Sequence, residues 1–255
     1  MNFIISAVTD VGIQKQTNQD SLSTMVVNTC QGRMAFAVLC DGMGGLAMGE
    51  VASSSVTNAF RKWMVERLPV LCTKPLDDAV IRDEWIGIVR SQNESIRRYG
   101  MKHNVRLGTT VVAMLLTQDR YYILNVGDSR AYEIGEGMRQ LTNDQSLVAR
   151  EVALGHLTPE EAERDSRRNV LLQCVGALDS VYPDMFCGEI CTNGVYMLCS
   201  DGFRHEISAR EIYDALRPEV MLDEHSMRAN AQYLVELNKQ RREEDNISVA
   251  LVRTF

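Results

Sequence analysis

Four apolar runs of strand length in this chain begin or end at an aspartate, and that recurrence limits its possible folds more than any other feature. Residues 34–40 lead into Asp41-Gly42-Met43-Gly44-Gly45, and residues 121–126 into Gly127-Asp128-Ser129-Arg130. Residues 195–199 lead into Ser200-Asp201-Gly202, and Asp245-Asn246-Ile247-Ser248 opens the run 247–252. A strand end fixes where a side chain points, so strands paired in sheets can aim these acids at one place. Bare carboxylates at short range raise one another's pKa. A hard divalent cation is the usual remedy, and the four motifs together point to a metal-dependent hydrolase.

Singly, each motif has an ordinary reading. An isolated Asp-Gly is a turn. Gly-Asp-Ser-Arg makes a hairpin turn with a local Asp–Arg pair, and Asp-Asn before a strand makes a cap. Their order and their shared strand-edge position argue for the joint reading.

The rest of the chain places these edges in a layered fold. Residues 4–9, 22–27 and 34–40 are short and apolar or β-branched, with turn residues between them. Ala52, Val56, Ala59 and Trp63 recur at helical spacing and predict a helix over about 49–68, punctuated by Pro69 and Pro75. A second helix is expected over 76–103, with Trp85, Ile88, Val89, Ile96 and Tyr99 toward one side. After Gly108-Thr109-Thr110 come strands at 111–116, 121–126 and about 131–134, the first two joined by a turn at Gln118-Asp119-Arg120. Residues 142–169 are polar and read as a surface excursion. Within them Thr158, Pro159 and Glu161 form a capping box with proline at its first helical position. Strands are expected again at 185–191 and 195–199, and helices at 209–216 and 223–241. The last helix carries Met227, Ala231, Leu234 and Asn238 on one face. No repeat or linker divides residues 1–255. The pattern predicts one α+β domain of two antiparallel sheets flanked by helices.

Composition narrows the function classes. A chain of 255 residues with 45% hydrophobic and 24% charged residues suits one soluble domain with a sizeable core. A net charge of -7 argues against a broad nucleic-acid surface. No run reaches membrane-spanning length, and residues 1–8 read as a first strand rather than a signal peptide. The seven cysteines lack Cys-x-x-Cys spacing, and the four histidines show no ligand spacing to them, which speaks against a zinc site. Cys187 and Cys191 fall on one face of an expected strand, and Cys40 and Cys199 lie inside others. Reduced core cysteines and a cytoplasmic location are expected.

Carboxylates without His or Cys partners select Mg²⁺, Mn²⁺ or Ca²⁺. Two such ions about 3.5–4 Å apart can clamp an in-line displacement at phosphorus. Asp41 is the natural bridging carboxylate, with the Gly42 carbonyl as a further ligand and small neighbours Gly44 and Gly45 beside it. Asp201 and Asp245 would complete one ion's shell, and Asn246 would orient Asp245 or bind a metal water.

The ordered set of motifs resembles the bacterial PPM-type, protein phosphatase 2C-like, metal-dependent Ser/Thr protein phosphatases along essentially the whole chain. It begins with Thr9-Asp10-Val11-Gly12, Asn18-Gln19-Asp20 and Asp41-Gly42-Met43-Gly44-Gly45. Gly108-Thr109-Thr110, Val126-Gly127-Asp128-Ser129-Arg130-Ala131-Tyr132 and Leu141-Thr142-Asn143-Asp144 follow. It closes with Leu198-Cys199-Ser200-Asp201-Gly202 and Asp245-Asn246-Ile247-Ser248-Val249. The resemblance implies an αββα sandwich of two mostly antiparallel sheets with two Mn²⁺ or Mg²⁺ ions between them. It implies that Asp41 bridges the ions, that Gly42 lends its carbonyl, and that Asp201 and Asp245 bind the first ion. Asp20 would hydrogen-bond metal waters, and Asp128 with Asp201 matches a third-ion position. Asp20, Asp41, Asp201 and Asp245 are thus the expected catalytic set, and residues 142–169 match the family's substrate-facing flap. The implied reaction is attack of a metal-bridged hydroxide on phosphoserine or phosphothreonine. The implied partners are phosphorylated proteins and a Ser/Thr protein kinase, without nucleic acid or membrane, and a monomer is expected.

The chain departs from the family at several points. Lys15 stands where members usually carry Arg; it is a point charge that cannot fork onto a phosphate, so weaker phosphate affinity is expected if it is not simply a solvated lysine. Met43 stands where animal relatives carry a histidine and bacterial ones commonly carry Met, and Gln145 replaces a common flap histidine. His205 reads as a surface or core-edge residue. Two rival readings remain open at this point: a pseudophosphatase, and a hydrolase of another phosphoester such as a nucleotide. The second lacks the lysine of a Gly-rich phosphate loop.

Overall fold

The computed structural model describes residues 1–43 and 48–255, so Gly44 and Gly45 lie outside the described residues. In chain order the first strands are β1 (Phe3–Asp10), β2 (Ser21–Thr29), β3 (Gly32–Cys40) and β4 (Gly42–Met43). Helices α1 (Gly49–Lys62), α2 (Leu68–Leu71) and α3 (Asp78–His103) follow. Then come β5 (Gly108–Thr109), β6 (Val111–Leu116), β7 (Arg120–Val126), β8 (Arg130–Ile134) and β9 (Met138–Gln140). Helices α4 (Leu147–Ala153) and α5 (Pro159–Arg164) occupy the excursion, before β10 (Asp184–Glu189) and β11 (Val195–Cys199). Helices α6 (Ala209–Leu216) and α7 (Glu224–Gln240) lead into β12 (Ile247–Thr254).

Strands β1, β12, β11, β8 and β9 form one antiparallel sheet in that spatial order, and β10, β7, β6, β3 and β2 form the other. The central runs are apolar without alternation because both faces of each sheet are covered. In β3, Met34, Phe36, Val38 and Cys40 pack toward α1 and α3, while Ala35, Ala37 and Leu39 face the other sheet. In β12, Ile247, Val249 and Leu251 pack with α6 and α7, while Ala250 and Val252 face inward. Alanines on the inward faces let the sheets approach closely. The expected α+β sandwich is the observed one.

Under α1 and α3 sits an aromatic cluster. Trp85 stands edge-on to Phe36, Phe60 and Trp63, with ring centroids 6.2, 5.6 and 5.4 Å away. Such contacts add about 0.5–1.5 kcal/mol each beyond burial. They also determine which helix faces turn inward, since Val56, Phe60, Ile81 and Val89 are wholly buried beside them.

The first helix does not stop at Pro69. It widens into a π-turn over Trp63–Arg67, where the Leu68 N–H donates to the Trp63 carbonyl, and continues to Leu71. A proline has no N–H and its ring clashes with the carbonyl four residues back, so a widened turn just before it carries the helix through. Strand β10 ends at Glu189, which leaves Cys191 outside it, with its N–H donating to the Tyr196 hydroxyl at 2.8 Å. The capping box at Thr158, Pro159 and Glu161 is present with both reciprocal hydrogen bonds. Among the described residues no helix is long and apolar enough to cross a membrane.

Candidate metal centre

Asp41 follows directly on β3, and the β5–β6 junction holds its main chain. Its N–H donates to the Thr110 hydroxyl at 3.0 Å, and its carbonyl accepts from the Thr110 N–H and the Thr109 hydroxyl, both at 2.9 Å. The Thr110 and Ser129 hydroxyls lie 2.8 Å apart, which ties this junction to the turn carrying Asp128. Gly127 makes that turn at a φ of 105°, where a Cβ would lie 2.6 Å from Thr110 Cγ2. Gly42 is held as tightly, since a Cβ there would stand 2.4 Å from the Gly49 carbonyl and 2.5 Å from that of Gln19. The Gln19 amide, oriented to satisfy both its ends, donates to the Gly42 carbonyl at 3.2 Å and leaves that oxygen a second lone pair.

Asp201 leaves β11 in the other sheet. Its Oδ1 is buried with no hydrogen-bond partner. Its Oδ2 lies 3.7 Å from His205 Nε2, and His205 Nδ1 lies 3.5 Å from Glu243 Oε2. His205 is a core-edge residue, as expected, and stands between two acids. Glu243 was not anticipated. It accepts from the N–H groups of Glu244 and Asp245, both at 2.9 Å, and so holds the turn that presents Asp245.

Asn246 does more than the sequence suggested. Its side chain donates to the carbonyls of Val11 at 2.9 Å and Thr17 at 3.3 Å, and accepts from the Gln19 N–H at 2.8 Å. Both ends of the amide are thus engaged by the backbone of residues 11–19, and Asn246 meets Asp245 only through its own N–H, at 2.8 Å from Oδ1. The segment so fastened carries Lys15 inward, and Lys15 Nζ stands 2.9 Å from Asp245 Oδ1. Lys15 is an ion-paired residue rather than a freely solvated one.

The electrostatics of the cluster follow from burial. The Asp41 carboxyl is raised well above its usual range, first by desolvation and then by Asp20, Asp201, Asp128 and Asp245. Desolvation, with Asp201 and Asp245 adding to it, pushes Asp20 up to about 7, and neither of its oxygens has a hydrogen-bond partner. The Ser200 and Ser248 hydroxyls lie near enough to temper that shift, but they are engaged with the Ser248 main chain and with Thr9. Desolvation and then Asp201 push Asp128 up to about 7 as well. Among the described residues, no three His, Cys, Asp or Glu side chains are gathered tightly enough to grip one ion as they stand. Burial and neighbouring acids nonetheless raise Asp20, Asp41 and Asp128, and buried carboxylate oxygens on Asp20 and Asp201 lack partners. This donor set fits hard divalent cations that keep part of their water.

A pH dependence follows. A carboxyl whose folded pKa exceeds its unfolded value binds its proton more tightly in the folded chain, so its contribution to stability falls as pH rises through that interval. For Asp20 the interval runs from 3.8 to about 7. In chelated protein, Asp20→Asn is expected to raise the melting temperature at about pH 8 and to raise it much less at about pH 4.5. Equal shifts at both pH values would show that Asp20 titrates normally.

Gln145, given little weight in the sequence, joins the excursion to the site. Its Oε1 accepts from the Gly127 N–H at 3.0 Å, its own N–H donates to the Gly127 carbonyl at 2.9 Å, and its amide donates to Asp184 at 2.9 Å. The Gly-Asp-Ser-Arg turn has no internal Asp–Arg pair, because Arg130 forks onto Asp144 instead, at 2.8 and 2.6 Å. Cys40 and Cys199 are inert, since burial pushes their thiols up to about 12 and about 11.

The sequence model of the family described as Protein phosphatase 2C matches residues 12–234. Protein phosphatase PhpP of Streptococcus pneumoniae is 33% identical over 252 residues, spanning 97% of this chain and 96% of its own length. The solved S. agalactiae serine/threonine phosphatase matches with a TM-score of 0.84 at 29% identity, and each chain is covered fully (100%). The catalytic domain of the serine threonine protein phosphatase PstP, solved in complex with 2 manganese ions, matches with a TM-score of 0.79 at 28% identity, over 98% of this chain and 97% of that one.

Proposed function

This chain belongs to the protein phosphatase 2C family and is a protein serine/threonine phosphatase, and on that premise we propose that the acids at the shared end of its two sheets form its metal centre. Asp41, Asp201, Asp245 and the Gly42 carbonyl would hold two divalent cations, Mn²⁺ or Mg²⁺, and Asp128 with Asp201 would take a third. One observation carries this assignment. Burial, with the charges of Asp201 and Asp245 from the other sheet, raises Asp20 and Asp41, while oxygens of Asp20 and Asp201 have no partner in the protein.

When bound, the cations neutralise charge on the phosphoryl oxygens and acidify the attacking water. The protein's own groups supply position and access. Asp20, with both oxygens open, accepts hydrogen bonds from water at the centre and orients it. Thr109 and Thr110 keep Asp41 from recoiling as charge develops, because both bind its main chain. Lys15 offers a point charge to the phosphate of phosphoserine or phosphothreonine, with less orientation than a guanidinium would give. The buried thiols of Cys40 and Cys199, at the strand ends beside the acids, are too weakly acidic to attack phosphorus, and water would be the nucleophile. Residues 1–255 would act as one catalytic domain, with 142–169 as the flap that meets the phosphoprotein. A Ser/Thr protein kinase would supply the substrate.

Purified protein is expected to release phosphate from a phosphothreonine peptide with Mn²⁺ or Mg²⁺ and to stop on chelation. Turnover indifferent to chelation would exclude the metal reading. Absence of turnover in folded protein that binds Mn²⁺ would favour a pseudophosphatase.

A further inference from the structure

We propose that Lys15 is an internal counter-ion for Asp245 in the metal-free protein, and that a cation must displace it to take that carboxylate, so that Lys15 sets the affinity of the centre for its metal. The inference rests on Asp245 being a metal ligand. Lys15 Nζ lies 2.9 Å from Asp245 Oδ1, the same oxygen that accepts the Asn246 N–H. The charges of Asp41 and Asp201 also act on the ammonium, so it faces the whole cluster rather than one carboxylate.

The approach of Lys15 is built into the fold. Gly12 turns the chain at a φ of 76°, its N–H donates to Asp10 Oδ1 at 2.8 Å, and a Cβ there would lie 2.3 Å from the Asp245 carbonyl. The Asn246 amide binds the chain on both sides of Lys15, at Val11 and at Thr17 and Gln19. The segment is thereby fastened to the residue next to Asp245, which keeps Lys15 beside that carboxylate. The pair is half-exposed, at 42% for the Lys15 side chain and 38% for that of Asp245, so displacement needs no opening of the core.

An ammonium and a divalent cation on one carboxylate repel each other. Metal binding therefore selects the arrangement in which Lys15 has let go, and the measured affinity is reduced by the fraction of molecules in which it has not. Once released, a compact charge on a flexible stem is free to meet a phosphate. Cation and phosphate would then assist each other's binding, each by the same factor.

The test is calorimetric titration of Mn²⁺ into the chelated and dialysed full chain, wild type beside Lys15→Gln, Lys15→Arg and Asp245→Asn, each first shown folded by circular dichroism. Lys15→Gln is expected to bind Mn²⁺ about two- to fivefold more tightly, the range a half-exposed ion pair allows. Lys15→Arg, which keeps the charge, is expected to stay within about twofold of wild type. If Lys15→Gln binds as wild type does or more weakly, while Asp245→Asn weakens binding, the counter-ion proposal is overturned and the metal centre stands. If neither wild type nor Lys15→Gln binds Mn²⁺, the metal centre and the proposal fall together.

Discussion

Asp41→Asn is expected to lower phosphopeptide turnover by about three orders of magnitude, while the protein stays folded. The Asp41 carboxyl feels Asp20, Asp201, Asp128 and Asp245, which places it at the centre of the acids rather than at their rim. On the proposed metal centre, a carboxylate so placed would contribute to holding every cation the others hold. Replacing it by a neutral amide of the same shape removes the charge without emptying space. The main-chain hydrogen bonds to Thr109 and Thr110 involve no side-chain atom of Asp41 and survive the change. Relief of a buried like-charge cluster predicts that chelated Asp41→Asn melts at or above the wild-type temperature. The measurements are kcat with saturating Mn²⁺ and a thermal melt in chelator. A loss of less than about tenfold would remove Asp41 from the centre of the chemistry.

Asn246→Ala is expected to cost about 2–5 kcal/mol of stability. Asn246 is buried, and its amide is the common partner of the Val11 and Thr17 carbonyls and the Gln19 N–H. Alanine leaves all three without that partner and frees the segment that carries Lys15. The melting temperature should fall by about 2–4 °C for each kcal/mol lost in a chain of this size. Asn246→Asp keeps the acceptor for Gln19 but loses both donations, and adds a charge beside Asp245, so it should be no better. Urea unfolding in chelator measures the cost, and KM for the phosphopeptide should rise because Lys15 is no longer delivered. A cost under about 1 kcal/mol would mean that residues 11–19 find other partners.

The strand edges bearing Asp41, Asp128, Asp201 and Asp245 were legible in the sequence because each follows from local pattern. A run of five to seven largely apolar residues ending near Asp-Gly or Gly-Asp, or opening after Asp-Asn, is a strand with a turn, whichever sheet it joins. Helix faces were legible for the same reason, since Met227, Ala231, Leu234 and Asn238 share one side of α7 by spacing alone and all are buried. The continuation of the first helix past Pro69 was not. A proline signals an end locally, and only the π-turn over Trp63–Arg67, with Trp63 held against Trp85, accommodates it.

The partners of the site residues divide in the same way. Asn246 looked like an adjunct of Asp245 because the two are adjacent in sequence, yet its amide serves a loop some 230 residues earlier in the chain. Nothing in the local sequence around Glu243 or Gln145 sets them apart from surface residues. Their roles come from what a distant turn brings alongside, namely His205 for the first and Gly127 for the second.

The sequence by itself determined the strands, the acids at their ends and, through their order, the family, because strand period and turn chemistry act over a few residues. The tertiary structure alone decided which side chains face those acids. Lys15 meets Asp245, and His205, four residues after Asp201, also meets Glu243, because β1, β12 and β11, from distant parts of the chain, pair side by side in one sheet. Contacts of that kind depend on registers and packing that no single segment encodes.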